Sequence, residues 1–107
     1  MNIRVDPRSQ TVSNGAPFTL TTTIVNCAPG LVTLWYELPA DCPCNFLTSE
    51  GPAKRVQHSG VIEGTGGAVP AILRIDCTAR PVTLLISVAA QDSAGATAHD
   101  KVRVTVV

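Results

Sequence analysis

Four cysteines carry most of the chemistry in this 107-residue chain: Cys27, Cys42, Cys44 and Cys77. Two of them stand one proline apart in "ADCPCNF". Such a set can clip a metal, run a redox cycle or close disulfides. A structural zinc site usually draws cysteines in pairs two to four residues apart, so that both sulfurs reach one tetrahedral ion. Cys42–Pro43–Cys44 is tighter than that, and neither Cys27 nor Cys77 has a near partner. His58 and His99 each stand alone. A C-x-x-C redox pair needs two intervening residues and a helix N-terminus to stabilise its thiolate, and the sequence offers neither. A disulfide framework is the favoured reading, because small exported domains use even cysteine counts to supplement a modest core. Cysteines that are simply buried and reduced are the plain alternative.

The other reactive side chains are dispersed. Ser59 beside His58, or Ser93 with His99, lacks the third member that would orient a base toward a nucleophile. Asp6, Glu37, Asp41, Asp76, Asp92 and Asp100 occur singly, whereas calcium needs several oxygens converging on one ion. Asp92 reads better as a turn residue. "EGTGGAVP" is glycine-rich but leads into a strand rather than a helix, so it is not a phosphate cradle. The expectation is a protein without catalytic activity, metal or cofactor.

Trp35 is the candidate binding residue. In "LVTLWYEL" the even positions Val32, Leu34, Tyr36 and Leu38 are all apolar, so strand alternation turns Tyr36 inward and Trp35 outward. An outward Trp can stack on a sugar ring or anchor a protein partner. The structural alternatives are an inward core Trp, or one beside Leu85 with Arg103 stacked over it.

These residues need elements to position them, and the composition says which. Thirteen Val and twelve Thr in a chain with only 15% charged residues suit a pleated sheet, where branched side chains pack well. Eight bases balance eight acids, leaving no basic footprint for nucleic acid or anionic lipid. No apolar run approaches the ~18 residues that would span a bilayer. One domain over residues 1–107 is expected. At this length roughly 65% of the unfolded surface is buried, a core that cross-links would help. The opening "MNIRVDP" already alternates like a strand and not like a signal peptide. Either Met1 heads an excised module, or export does not use that route.

Seven strand-like runs follow, bounded by Pro, Gly, Asn or Asp. They are "NIRVDP", "APFTLTTTIVN", "LVTLWYEL", "AKRVQHSGVIE", "VPAILRIDC", "VTLLISVAAQ" and "DKVRVTVV". The fourth is the weakest, interrupted by Gly60. Period two recurs in nearly every run and a helical stripe in none. This pattern argues for an all-β, seven-stranded antiparallel sandwich. In such a sandwich the third and fifth strands end at the same pole. Cys42 and Cys44 follow the third and Cys77 closes the fifth, so a bond from Cys77 to one of that pair is the leading connectivity. Cys27 falls at the other pole. Cys27–Cys77 with a Cys42–Cys44 ring is the alternative. The last strand, ending "VTVV", is a candidate edge for weak association.

"LLISVAAQDSAGATAHDKVRVTVV" is a strand, a "DSAG" turn with Gly95 suited to positive φ, and a returning Val-alternating strand. It resembles the last hairpin of bacterial immunoglobulin-like repeat domains, found in cell-surface and secreted proteins. "IRVDPRSQTVSNGAPFTLTTTIVN", with its Asn14–Gly15 turn, looks like their first two strands. The resemblance implies an immunoglobulin-like sandwich, extracellular or in the cell envelope, and a non-catalytic spacer, structural or adhesion role. Neighbouring domains, and a protein or polysaccharide ligand, would be its partners, and the unit itself a monomer. The four cysteines and the Pro-rich stretch from Pro39 to Pro52 depart from the family pattern. That stretch, read as irregular, is the candidate contact region. A carbohydrate-binding module attached to a hydrolase, using Trp35, is the second reading; an intracellular zinc-bound β-domain is the third.

Overall fold

A computed structural model describes residues 1–107 and contains eleven β-strands and no helix. β1 (Asn2–Asp6), β3 (Phe18–Val25) and β8 (Gly66–Leu73) form one sheet in the order β1-β3-β8, with both pairings antiparallel. The second sheet packs against it. It contains β2 (Ser9–Val12), β4 (Gly30–Glu37), β7 (Arg55–Ile62), β10 (Val82–Gln91) and β11 (Thr97–Val106), ordered β2-β11-β10-β4-β7. Every pairing in it is antiparallel except β2 with β11. A small third sheet joins β5 (Cys44–Thr48), β6 (Gly51–Ala53) and β9 (Ile75–Cys77).

The alternation read from the sequence places the core. Leu20 and Ile24 of β3 meet Leu34 and Tyr36 of β4, Ile86 and Val88 of β10, and Val102 and Val104 of β11, all of them fully buried. Each such aliphatic side chain removed from water contributes about 1.5–3 kcal/mol. The run from Val69 to Cys77 keeps one inward face throughout, with Val69, Ala71, Leu73, Ile75 and Cys77 all buried. Its partner changes at Arg74: β8 pairs with β3, and β9 with β5.

Three expectations are corrected. All seven expected runs are strands, but the count is eleven. β2, β5 and β6 are additional, and the fifth run divides into β8 and β9. Pro39–Pro52 is not irregular: it holds β5 and most of β6, a hairpin that covers the core with Phe46. The "VTVV" end of the chain is not an edge either, since Arg103–Val106 pairs with β10 on one side and β2 on the other.

Glycine matters most at Gly60, inside a continuous β7. A Cβ there would lie 2.9 Å from both methyl groups of Val69, so only glycine lets β7 pass this close to β8. At the "DSAG" turn Gly95 has φ 88°, as expected. Asp92 caps the same turn: its Oδ1 accepts the amides of Ala94 and Ala96, and its Oδ2 reaches across to the amide of Ala28.

Candidate binding face and disulfide

Cys44 and Cys77 are bonded, and they face each other directly in the β5–β9 ladder. Strand direction brings Cys77 to the Cys42/Cys44 segment and leaves either sulfur open; the bond is to Cys44, and Cys42 stays a thiol. Bonded Cys77 removes the Cys27–Cys77 alternative. Cys27 is a free, buried thiol at the opposite pole, where its amide bonds the carbonyl of Thr65. Cys42 is free and partly buried. Its turn is held by Lys54, whose Nζ donates to the carbonyls of Cys42 and Cys44 and lies 3.5 Å from the Cys42 Sγ. Lys54 was not singled out in the sequence; a lysine followed by a strand carries no signal of such a role.

The disulfide's surroundings are equally tied down. Asn14 Oδ1 accepts the Cys77 amide at 2.7 Å, while its Nδ2 donates to Asp76. Arg74 Nε donates to the carbonyl of Gly15. The Asn14–Gly15 turn is thereby fastened to β9, next to the cross-link.

Trp35 faces outward from β4 and is partly buried, while Tyr36 is fully buried. It is therefore not the inward core Trp. The cation over it is Arg55 of β7, 5.4 Å from the ring centroid, and not Arg103. Register explains the neighbours. Across the sheet Gln57, Trp35, Ala89 and His99 stand in one row, and Arg55, Glu37, Ser87 and Lys101 in the next. Ala89 and Ser87 are the small residues of these rows, so the sheet surface dips along β10. Trp35 and Glu37 form one wall and His99 and Lys101 the other, about 10 Å apart across three strands. The result is a trough of about 710 Å³, with Arg8 and Asp100 at its rim.

Asp100 is committed to the fold. Its carboxylate accepts the Val5 amide at 2.8 Å and pairs with Arg8, where the chain crosses from β1 to β2. Burial pushes its pKa up, but the Arg8 bond and the Val5 and Lys101 amides outweigh this and hold it below the ordinary carboxylate value. No three His, Cys, Asp or Glu side chains come together as a metal site would require. His58 lies on β7 and His99 on β11, with β4 and β10 between those strands. No helix is long and apolar enough to cross a membrane.

No protein-family model matches the sequence, and no curated protein matches it either. The fold and the trough therefore carry the functional reading.

Proposed function

We propose that the chain is a non-catalytic, immunoglobulin-like module of a secreted or cell-surface protein, serving as a spacer or adhesion unit. The observation that carries this is the path of the chain. It enters beside the β3–β4 turn, where Asn2 pairs with Val25, and leaves beside the Asn14 turn, where the Asn14 amide bonds the carbonyl of Val107. These are opposite poles of a body 41 Å in its longest dimension. Units built this way can be strung end to end.

Strand order supports the immunoglobulin-like reading. The β4, β10 and β11 group, extended by β7 and faced by β1, β3 and β8, follows the layout of variable-type sandwiches. Two hallmarks of antibody domains differ: the disulfide lies in the small third sheet instead of bridging the two large ones, and the third-strand Trp faces outward. A disulfide favours an oxidising compartment. The stapled β5–β6 hairpin and the polar loops at the poles are the surfaces on offer to a protein partner.

Peptide mapping of the protein isolated without reductant from its own cells tests this. A linked Cys44–Cys77 peptide is expected, with Cys27 and Cys42 labelled as thiols. Four labelled thiols would remove the extracellular placement.

The trough favours a second reading, a carbohydrate-binding module using Trp35. Addition of a bound polysaccharide should shift Trp35 fluorescence. An indole unresponsive to every polysaccharide tried would remove that reading.

A further inference from the structure

We propose that the trough on the five-stranded sheet binds an acidic polysaccharide, a glycan carrying carboxylate or sulfate groups along its length. The proposal rests on the carbohydrate-binding reading and adds the sign of the ligand's charge.

The whole chain is neutral, with eight bases and eight acids. That neutrality hides an uneven distribution. The outward positions of β2, β4, β7, β10 and β11 hold three bases, Arg55, Lys101 and Arg103, against one acid, Glu37. The outer face of the three-stranded sheet is balanced by comparison, with Arg4 and Asp6 paired at 3.3 Å.

The cations of the trough face are also available. Lys101 and Arg103 belong to none of the ion pairs, which are Arg4–Asp6, Arg8–Asp100 and Arg55–Glu37. The Arg55–Glu37 contact spans 4.0 Å between exposed side chains, a geometry worth little in water. Asp100 does not cancel the excess, because Arg8 and two backbone amides already occupy it.

Geometry then selects the ligand. Lys101 and Arg103 project from the same side of β11, about 6.8 Å apart along the strand. Across the dip stands Trp35; Arg55 lies over its ring at 5.4 Å, and the part of the indole that lines the trough offers the apolar contact that a sugar takes. An extended chain lying along β10 would pass the indole and Glu37 on one side and Lys101 on the other, then reach Arg103 opposite Leu85, two cations against one acid. Gln91 and Thr33, paired across β10 and β4, continue the path beyond Ala89 with donors and acceptors for hydroxyl groups. Single-stranded nucleic acid fits less well, since such sites stack successive bases on several aromatic side chains within a strongly basic groove. Trp35 is the one aromatic residue here.

Affinity electrophoresis and calorimetry on the full chain test the proposal. The acidic probes are polygalacturonate, alginate and chondroitin sulfate. A neutral glucan of similar length, polyglutamate and an oligothymidylate serve as comparisons. At least one acidic glycan should bind, weakening tenfold or more when salt is raised from 50 to 500 mM. Lys101→Ala/Arg103→Ala should lose tenfold or more while keeping the parental circular dichroism and melting temperature. Trp35→Ala should also weaken binding, with Trp35→Phe partly restoring it. A neutral glucan bound as tightly as the acidic ones would overturn the charge inference and leave the glycan reading standing. Binding of no glycan would end both. Equal binding of polyglutamate or oligothymidylate would show a general polyanion surface and overturn the proposal.

Discussion

Cys44 and Cys77 are direct cross-strand partners, and their bond closes a loop with a sequence separation of 33 residues. It clamps β5 to β9, and the strands on either side of β5 are short: β6 has three residues, and β9 has three. Loop closure of this length stabilises by about 3.5 kcal/mol in the chain-entropy model. Cys44→Ser/Cys77→Ser is therefore expected to lower the melting temperature by roughly 15 °C, at some 4–5 °C per kcal/mol for a domain of this size. Reductant should lower the parent by a similar amount and leave the double variant unmoved. Cys42→Ser, which breaks no cross-link, should stay within about 0.5 kcal/mol of the parent.

Gly60 of β7 faces the side chain of Val69 of β8 with no room for a Cβ between them. Gly60→Ala puts a methyl group where both Val69 methyls already stand, and overpacking of this kind costs roughly 1–3 kcal/mol. The strain belongs to one pair, so a double-mutant cycle isolates it. In a Val69→Ala background, Gly60→Ala is expected to cost about 1 kcal/mol less than in the parent, measured by urea unfolding. Equal costs in both backgrounds would place the strain elsewhere.

The same contrast between local and distant causes explains what the sequence made legible. Alternation in "LVTLWYEL" was enough to turn Tyr36 in and Trp35 out, because side-chain direction along a strand is a local property. Half of the trough was within reach too. The turn at Asp92–Gly95 fixes the β10–β11 register, which sets Ala89 opposite His99 and Ser87 opposite Lys101. The other half was not, because β4 meets β10 through no connecting turn, and nothing local aligns Trp35 with Ala89. β2 escaped notice because "SQTV" has no apolar stripe; its pairing with β11 holds it. The β5–β6 hairpin was hidden by its prolines and by strands too short for a period to emerge. Its order comes from β9 and the disulfide. Gly60 reads as a break in sequence, when its lack of a side chain is what keeps β7 whole.

Thr22 and Tyr36 bring two hydroxyl groups into the apolar core. Neither Thr22 Oγ1 nor Tyr36 OH has a hydrogen-bond partner of good geometry. Burial pushes the Tyr36 phenol above its ordinary pKa, and the neighbouring Thr22 hydroxyl offsets part of that rise. A buried, unsatisfied hydroxyl costs about 1–3 kcal/mol, whereas two apolar replacements of the same shape carry no such penalty. Thr22→Val/Tyr36→Phe is expected to be more stable than the parent by about 1–2 kcal/mol in urea unfolding. A less stable double variant would mean that the two oxygens bond each other in the folded protein.

Asp92 should make the fold sensitive to acid. The amides of Ala28, Ala96 and Ala94 hold its carboxyl below the ordinary value of 3.8, against an opposing push from burial. Folding thus favours the ionised form, and the unfolded chain takes up the proton first as pH falls. The stabilisation is complete above the unfolded value, near pH 4, and is lost as pH drops through the lower folded value. Asp92→Asn keeps the shape and one acceptor for Ala94 and Ala96, but turns a second donor toward the Ala28 amide. It should melt below the parent at pH 6, and the gap should narrow steadily between pH 4 and pH 2. Other carboxylates titrate in both proteins, so the narrowing of the difference, and not the parent's own decline, reports on Asp92. A gap that stays constant from pH 6 to pH 2 would show that the charge contributes nothing and that hydrogen-bond geometry alone is at stake.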